Sequence, residues 1–152
     1  MAVIVRALEP HEMDSARALR VLPVQERLVA TVMDSLAEAD RYPGAVAFGV
    51  FASGTLVGFM MGRLVRDGPW AGDYLVWGYL IDSHHQGRGL GRAGMVAATE
   101  GARAVGAQGM RLACDPKNTI ARSLCESLGF VDQGTINDDG EHDLRLDFSP
   151  DQ

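Results

Sequence analysis

The sequence is poor in cysteine, in long apolar runs and in linkers. Its two cysteines, Cys114 and Cys125, cannot build a disulfide framework or a zinc site, which takes about four ligands. The neighbouring His84 and His85 have no second ligand cluster near them and read as loop residues, so no metal is expected. No stretch approaches the roughly 20 apolar residues of a membrane helix, and no membrane partner is expected. The first ten residues, MAVIVRALEP, lack the basic-then-apolar layout of a secretion signal, which makes the cytoplasm the expected compartment. There is no repeat and no Gly/Ser/Pro-rich tract. The 152 residues suit one domain, 1–152, around one core.

What is present is an ordinary globular composition, 47% apolar and 22% charged, with a lopsided charge. Fourteen basic and 20 acidic residues give a formal net charge of −6. Residues 86–122 hold six basic groups (Arg88, Arg92, Arg103, Arg111, Lys117, Arg122) against two acids, a net of +4. The remainder carries −10. An acidic surface disfavours nucleic acid but permits a cationic partner, together with an anion held near 86–122.

Hydrophobic periodicity outlines the elements. Residues 2–8 read as a strand, and Pro10 with Glu12 and Asp14 opens a short helix to about residue 20. Leu28, Val29, Val32, Met33 and Leu36 predict a second helix over 24–39. Residues 45–52 and 55–65 form a hairpin around Ser53-Gly54. Residues 74–82 (YLVWGYLID) form a long central strand. A glycine-rich turn then enters a helix over 90–105, followed by a strand over 110–114. A helix over 118–128 is closed by Gly129, and a hairpin from 130 to 148 ends the chain. The order β-α-α-β-β-β-α-β-α-β-β describes an α/β mixed sheet with helices on both faces. Strands 74–82 and 110–114 should be parallel.

The turn Gln86-Gly87-Arg88-Gly89-Leu90-Gly91 lies between a strand and a helix. Its glycines let several N–H groups converge at a helix N-terminus, a natural seat for phosphate, and Arg88 and Arg92 can pair with further phosphate oxygens. Gly89, Gly91 and Gly94 also spell G-x-G-x-x-G, with Asp115 where a ribose-binding acid would sit. Three strands precede this unit, too little chain follows it, and Gln86 has no part in a dinucleotide site. That reading is therefore set aside.

The Q-x-x-G-x-G at 86–91 resembles the pyrophosphate loop of the GCN5-related N-acetyltransferases. The run Asn118-Thr-Ile-Ala121-Arg-Ser-Leu124-Cys125-Glu-Ser-Leu128-Gly129-Phe130 is similar to that family's second motif. Cys125 stands where the family usually has Tyr. The motif spacing and the hairpin VFASGTLVGFM also match, so the resemblance spans essentially the whole chain. Residues 35–62 (SLAEADRYPGAVAFGVFASGTLVGFMMG), Leu80-Ile81-Asp82 and residues 134–146 (GTINDDGEHDLRL) more narrowly resemble bacterial spermine/spermidine (diamine) acetyltransferases.

The resemblance implies acetyl-CoA as cosubstrate and a small-molecule primary amine as acceptor, often with a homodimeric enzyme. It places the pantetheine arm in a splay between the two parallel strands, beside the backbone of Leu80 and Ile81, with a strand N–H stabilising the oxyanion. Gln86, Gly87, Arg88, Gly89, Leu90, Gly91 and Arg92 would form the pyrophosphate loop. Asn118 would touch the cofactor, cap its helix, or do both. Cys125, or Tyr79 or water, would protonate the leaving thiolate. The central strand carries no interior carboxylate, so the implied base is a water relay, with Asp73 as candidate. Glu26, Glu38, Tyr42 and Trp77 are the expected acceptor contacts, acids and aromatic walls suiting a polyamine. Another amine (an amino acid, an aminoglycoside or a protein N-terminus) and a non-catalytic acyl-CoA-binding module remain the alternatives.

Overall fold

The structure is a computed structural model that describes residues 2–149. Seven strands form one sheet in the order β1-β2-β3-β4-β5-β7-β6. These are β1 (Val3–Ala7), β2 (Val46–Ala52), β3 (Thr55–Leu64), β4 (Asp73–Ile81), β5 (Gly109–Cys114), β6 (Val131–Ile136) and β7 (His142–Asp147). Four α-helices cover it: α1 (Met13–Arg17), α2 (Val32–Glu38), α3 (Leu90–Ala104) and α4 (Thr119–Ser127). The expected element order and mixed α/β architecture are those observed.

Alternation along β3 sends Phe59 and Met61 to one face and Met60 to the other. Phe59 and Met61 pack with Ala16, Leu19 and Val32 of the α1/α2 layer. Met60 packs with Val76, Met95, Ala98 and Cys125 of the α3/α4 layer. Phe59, Met60 and Met61 are all essentially inaccessible to solvent, so the middle of β3 is the spine of the core.

The helix expected over 24–39 is shorter. Pro23–Gln25 forms a 3-10 turn, and α2 begins only at Val32. Thr31 caps it, its hydroxyl accepting from the Asp34 N–H at 3.0 Å, which satisfies one of the donors a helix start leaves unpaired. The inward face then differs from the expected stripe: Met33 is 62% exposed, while Ser35 is fully buried.

Two features of β4 shape the site. First, β4 and β5 are parallel, as expected, but paired only over Asp73↔Gly109, Tyr74↔Met110 and Leu75↔Arg111. Beyond that rung the sheet opens. Second, β4 bulges against β3: Met61 faces Trp77 and Phe59 faces Leu80, leaving both Gly78 and Tyr79 opposite Met60. Gly78 adopts φ +67, a left-handed conformation that glycine takes at little cost. Uninterrupted alternation would place Tyr79 beside Trp77. The extra residue sends Tyr79 to α3, while Leu80 returns to the α1/α2 layer.

Candidate functional site

Where β4 and β5 part, a cleft of about 970 Å³ opens between the two layers. Leu75 and Trp77 line it from the α1/α2 side, and Val76, Tyr79, Met95 and Cys125 from the α3/α4 side. It therefore passes through the sheet. Its inner stretch is apolar, and eight carboxylates and one basic residue, Arg27, also line it, most of the acids exposed and Asp143 nearly buried.

All four expected acceptor contacts lie on this cleft: Glu26, Glu38, Tyr42 and Trp77. Tyr42 and Trp77 pack with ring centroids 5.1 Å apart and planes tilted by 54°, and the Trp77 indole N–H donates to the Ser35 carbonyl at 3.2 Å. Both rings are thus fixed, whereas Glu26 and Glu38 are exposed.

At the other end of β4, the chain turns through residues 86–89 into α3. Gly87 and Gly89 take φ +79 and +75, and a Cβ at either would meet open space. Conformation rather than crowding demands glycine there. Gly89 precedes the fifteen-residue helix α3, whose first turn holds no acid, so its unpaired N–H groups and dipole face solvent uncompensated. Gly91 lies beside Ile81 and Leu124, and Leu124 lines the cleft. The start of α3 is therefore next to the cleft mouth, although the loop itself is not part of the cleft wall. Gly89 and Arg92 border a separate shallow depression of about 350 Å³.

Several expected contacts are already engaged within the protein. The Gln86 side chain donates to the Ile81 carbonyl and exchanges two hydrogen bonds with Gln25, at 2.9 and 3.2 Å. It braces the loop and takes up one acceptor position of the Ile81 carbonyl. Arg92 donates to the Ser127 hydroxyl at 2.7 Å, and Arg88 contacts His85. Of the other basic residues in 86–122, Arg111 and Arg122 pair with acids and Arg103 stacks on Phe148. The local positive charge is therefore only partly available to an anion. The Asn118 Oδ1 caps α4 by accepting from the Ala121 N–H at 3.2 Å, and the residue also lines the cleft.

The candidates for proton transfer sit as follows. Cys125 is 4% exposed; burial, then the neighbouring Cys114, push its thiol up to about 12. Burial and then Cys125 raise the Tyr79 phenol as well, and its hydroxyl donates to the Gly91 carbonyl at 2.6 Å. A thiol this reluctant to ionise is a poor proton donor to a departing thiolate.

Asp73 sits at the closed end of β4, before the strands part, and is 4% exposed. Its carboxylate accepts from Arg111 at 2.7 Å and twice from Arg145, at 3.0 and 2.9 Å. Burial alone would raise its pKa, but the two guanidinium groups outweigh it and hold the carboxyl below its ordinary value. A carboxylate so held and so far down the strand joins β4, β5 and β7; it is unsuited to taking a proton. Asp143 on β7 is the carboxylate that sequence reasoning passed over, since alternation merely turned it away from the β7 core face. It lines the cleft, and burial raises its pKa despite Arg111.

The model of a family described as Acetyltransferase (GNAT) family matches residues 13–130. No curated protein matches the chain. Among solved structures, the aminoglycoside acetyltransferase AAC(6')-Ib in complex with coenzyme A is 16% identical, covers 97% of this chain and 95% of its own, and superposes with a TM-score of 0.78. The structure of AAC(6')-Ib with paromomycin and acetyl-CoA gives 15%, 97%, 94% and 0.79. The ribosomal-protein-S18-alanine N-acetyltransferase from Escherichia coli gives 19%, 97%, 95% and 0.70. At these identities the likeness is one of fold.

Proposed function

The chain belongs to the GNAT family of acetyltransferases, and from that premise we propose that it transfers acetyl from acetyl-CoA to a primary amine of a small polycation, a polyamine or diamine. The observation that carries the acceptor class is the cleft's rim and wall, where eight carboxylates stand against one arginine. Ammonium groups spaced by methylenes suit such a rim, with the fixed Tyr42 and Trp77 rings as apolar and cation–π walls.

The residues fit the cosubstrate. An acid-free helix start, glycines with open space above them and Arg88 and Arg92 alongside suit a pyrophosphate. The inner wall of Val76, Met95 and Leu124 suits an uncharged arm, with Leu80 offering backbone and Asn118 its amide. When bound, acetyl-CoA supplies an activated acyl group as a thioester. Gly87, Gly89, Leu90 and Gly91 hold the anion through backbone N–H groups, while Gln86 acts behind the loop. Glu26 and Glu38 gather the cation. Backbone near the Gly78 bulge orients the reacting carbonyl. The leaving sulfur takes its proton from the amine or from water rather than from Cys125.

An aminoglycoside is the second reading. It is favoured by the breadth of the cleft, with acids on both the 26–38 wall and the 138–143 wall, and by the aminoglycoside acetyltransferase among the structural neighbours. The test is thiol release from acetyl-CoA over a panel of spermidine, spermine, putrescine, kanamycin and single amino acids. Release with the polyamines supports the first reading, and release with kanamycin alone supports the second. Acetyl-CoA binding without release from any amine would leave an acyl-CoA-binding module.

A further inference from the structure

Five charged side chains run across β4, β5 and β7 at the point where the sheet opens: four lie where the three strands are side by side, and Asp143 sits opposite Ala113, just beyond the last β4–β5 rung. Arg111 donates from Nε to Asp73 and from a terminal nitrogen to Asp143, both at 2.7 Å. Arg145 clamps Asp73 and reaches Asp147 at 3.6 Å. Two guanidinium groups thus serve three carboxylates, leaving one negative charge uncompensated.

The three acids are not equivalent. Asp73 is sealed between both arginines, and Asp147 is half exposed away from the cleft. Asp143 alone of the three faces the cleft, with its side chain only 14% exposed. Its Oδ2 accepts from Arg111, and at 3.4 Å from the Thr135 hydroxyl. Its Oδ1 has no hydrogen-bond partner among the described residues. Its partner across the β5–β7 ladder is Ala113, which also lines the cleft and is too small to cover it.

We propose that Asp143 takes the proton of the acceptor ammonium at Oδ1, with Arg111 as the positioning residue that holds Oδ2 and turns the free oxygen to the cleft. The inference rests on the acetyltransferase reading. One N–H bond of the ammonium breaks and an O–H bond forms at Oδ1. The freed nitrogen lone pair bonds to the acetyl carbonyl carbon as the carbon–sulfur bond breaks. The sulfur takes a second proton from that nitrogen, and Asp143 returns its own to water in the cleft. The charged groups around Asp143 are Arg111 on β5 with Asp73 behind it on β4, and Asp132 on β6, itself paired with Arg122 and His142. Burial raises the Asp143 carboxyl, bringing it nearer to the amine it must deprotonate.

The test compares kcat/KM from pH 4.5 to 10 for the wild type and Asp143→Asn, using the panel amine turned over fastest. Asparagine still accepts from Arg111 but cannot take a proton, so the variant must bind the free amine. For an amine with a pKa near 10.4, its deficit should be roughly a thousandfold at pH 7.4 and shrink about tenfold per pH unit. Arg111→Gln should move the acidic limb of the profile upward, which a purely structural role for Arg111 would not do. A deficit independent of pH makes Asp143 only an anchor for the cation and overturns the proposal. So does loss of coenzyme A binding by calorimetry in Asp143→Asn, which marks a structural residue. If the wild type binds acetyl-CoA but releases thiol with no amine, the acetyltransferase reading fails, and the inference with it.

Discussion

Leu75 on β4 and Arg111 on β5 form the last rung on which the two parallel strands are paired. Below that rung the sheet is closed by an ion network; above it lies the cleft. The charged cluster and the opening are thus two sides of one boundary, and Asp73 anchors its closed side.

Asp73→Ala should lower stability by about 3–5 kcal/mol, because it leaves Arg111 and Arg145 partly buried without their shared partner. The folded-state pKa of Asp73 lies below its ordinary value. The stabilisation is therefore complete above the unfolded pKa, near 3.9, and is lost as pH falls through the lower folded value. Urea midpoints of the wild type and the variant should differ most near neutrality and converge as pH falls through the lowered folded-state pKa of Asp73.

Cys125 should be inert. A thiol pushed up to about 12 is ionised to only roughly one part in ten thousand at pH 8. Maleimide labelling of the native protein should leave Cys125 unmodified, and Cys125→Ala should retain kcat within a few-fold. A loss of a hundredfold or more would restore an acid role.

Arg88→Ala and Arg92→Ala should each raise the KM for acetyl-CoA by about three- to tenfold, as expected for exposed charge-assisted contacts. The amine KM should not change. Arg92 is already bonded to Ser127, so Ser127→Ala is expected to leave it freer to meet the anion.

Glu38→Gln and Glu26→Gln should do the opposite, raising the amine KM by about two- to fivefold with the acetyl-CoA KM unchanged. Added salt should weaken the amine preference of the wild type more than that of either variant, because exposed charges are screened.

Gly78→Ala should cost about 1–3 kcal/mol for its left-handed backbone, with a further penalty because its Cβ would run into the Ser35 hydroxyl. The double variant with Ser35→Ala removes the hydroxyl contact but leaves the clash with the Ser35 Cβ and the backbone strain, so it recovers only part of the loss. Thermal melts of the two variants separate the hydroxyl contact from the rest.

The element order, the glycine turn into α3 and the cap at Asn118 were legible because they depend on local pattern: alternating strands, glycines before a helix, an Asn at a helix start. The residues that act at long range were not. The partners of Asp73 lie 38 and 72 positions away, and only the β4–β5–β7 register brings them together, so a carboxylate flanking the central strand read as a base. Asp143 alternates away from Leu144 on β7, and no periodicity shows that this side of the sheet opens into a cleft. The helix expected over 24–39 fails at Thr31, whose hydroxyl offers a start that the apolar spacing upstream conceals. Gly78 did leave a signal, since an isolated glycine inside a strand marks a bulge or a close approach.

That bulge makes β4 a crossover between two compartments. Its first half addresses the α1/α2 side of the cleft through Leu75 and Trp77; its second half addresses the α3 side through Tyr79. Were Gly78 to pair regularly instead of bulging, every β4 residue would remain in the sequence yet Tyr79 and Leu80 would exchange destinations. What β4 presents to the α1/α2 side of the cleft and what it presents to the α3 side are therefore set together, by the conformation of a single peptide.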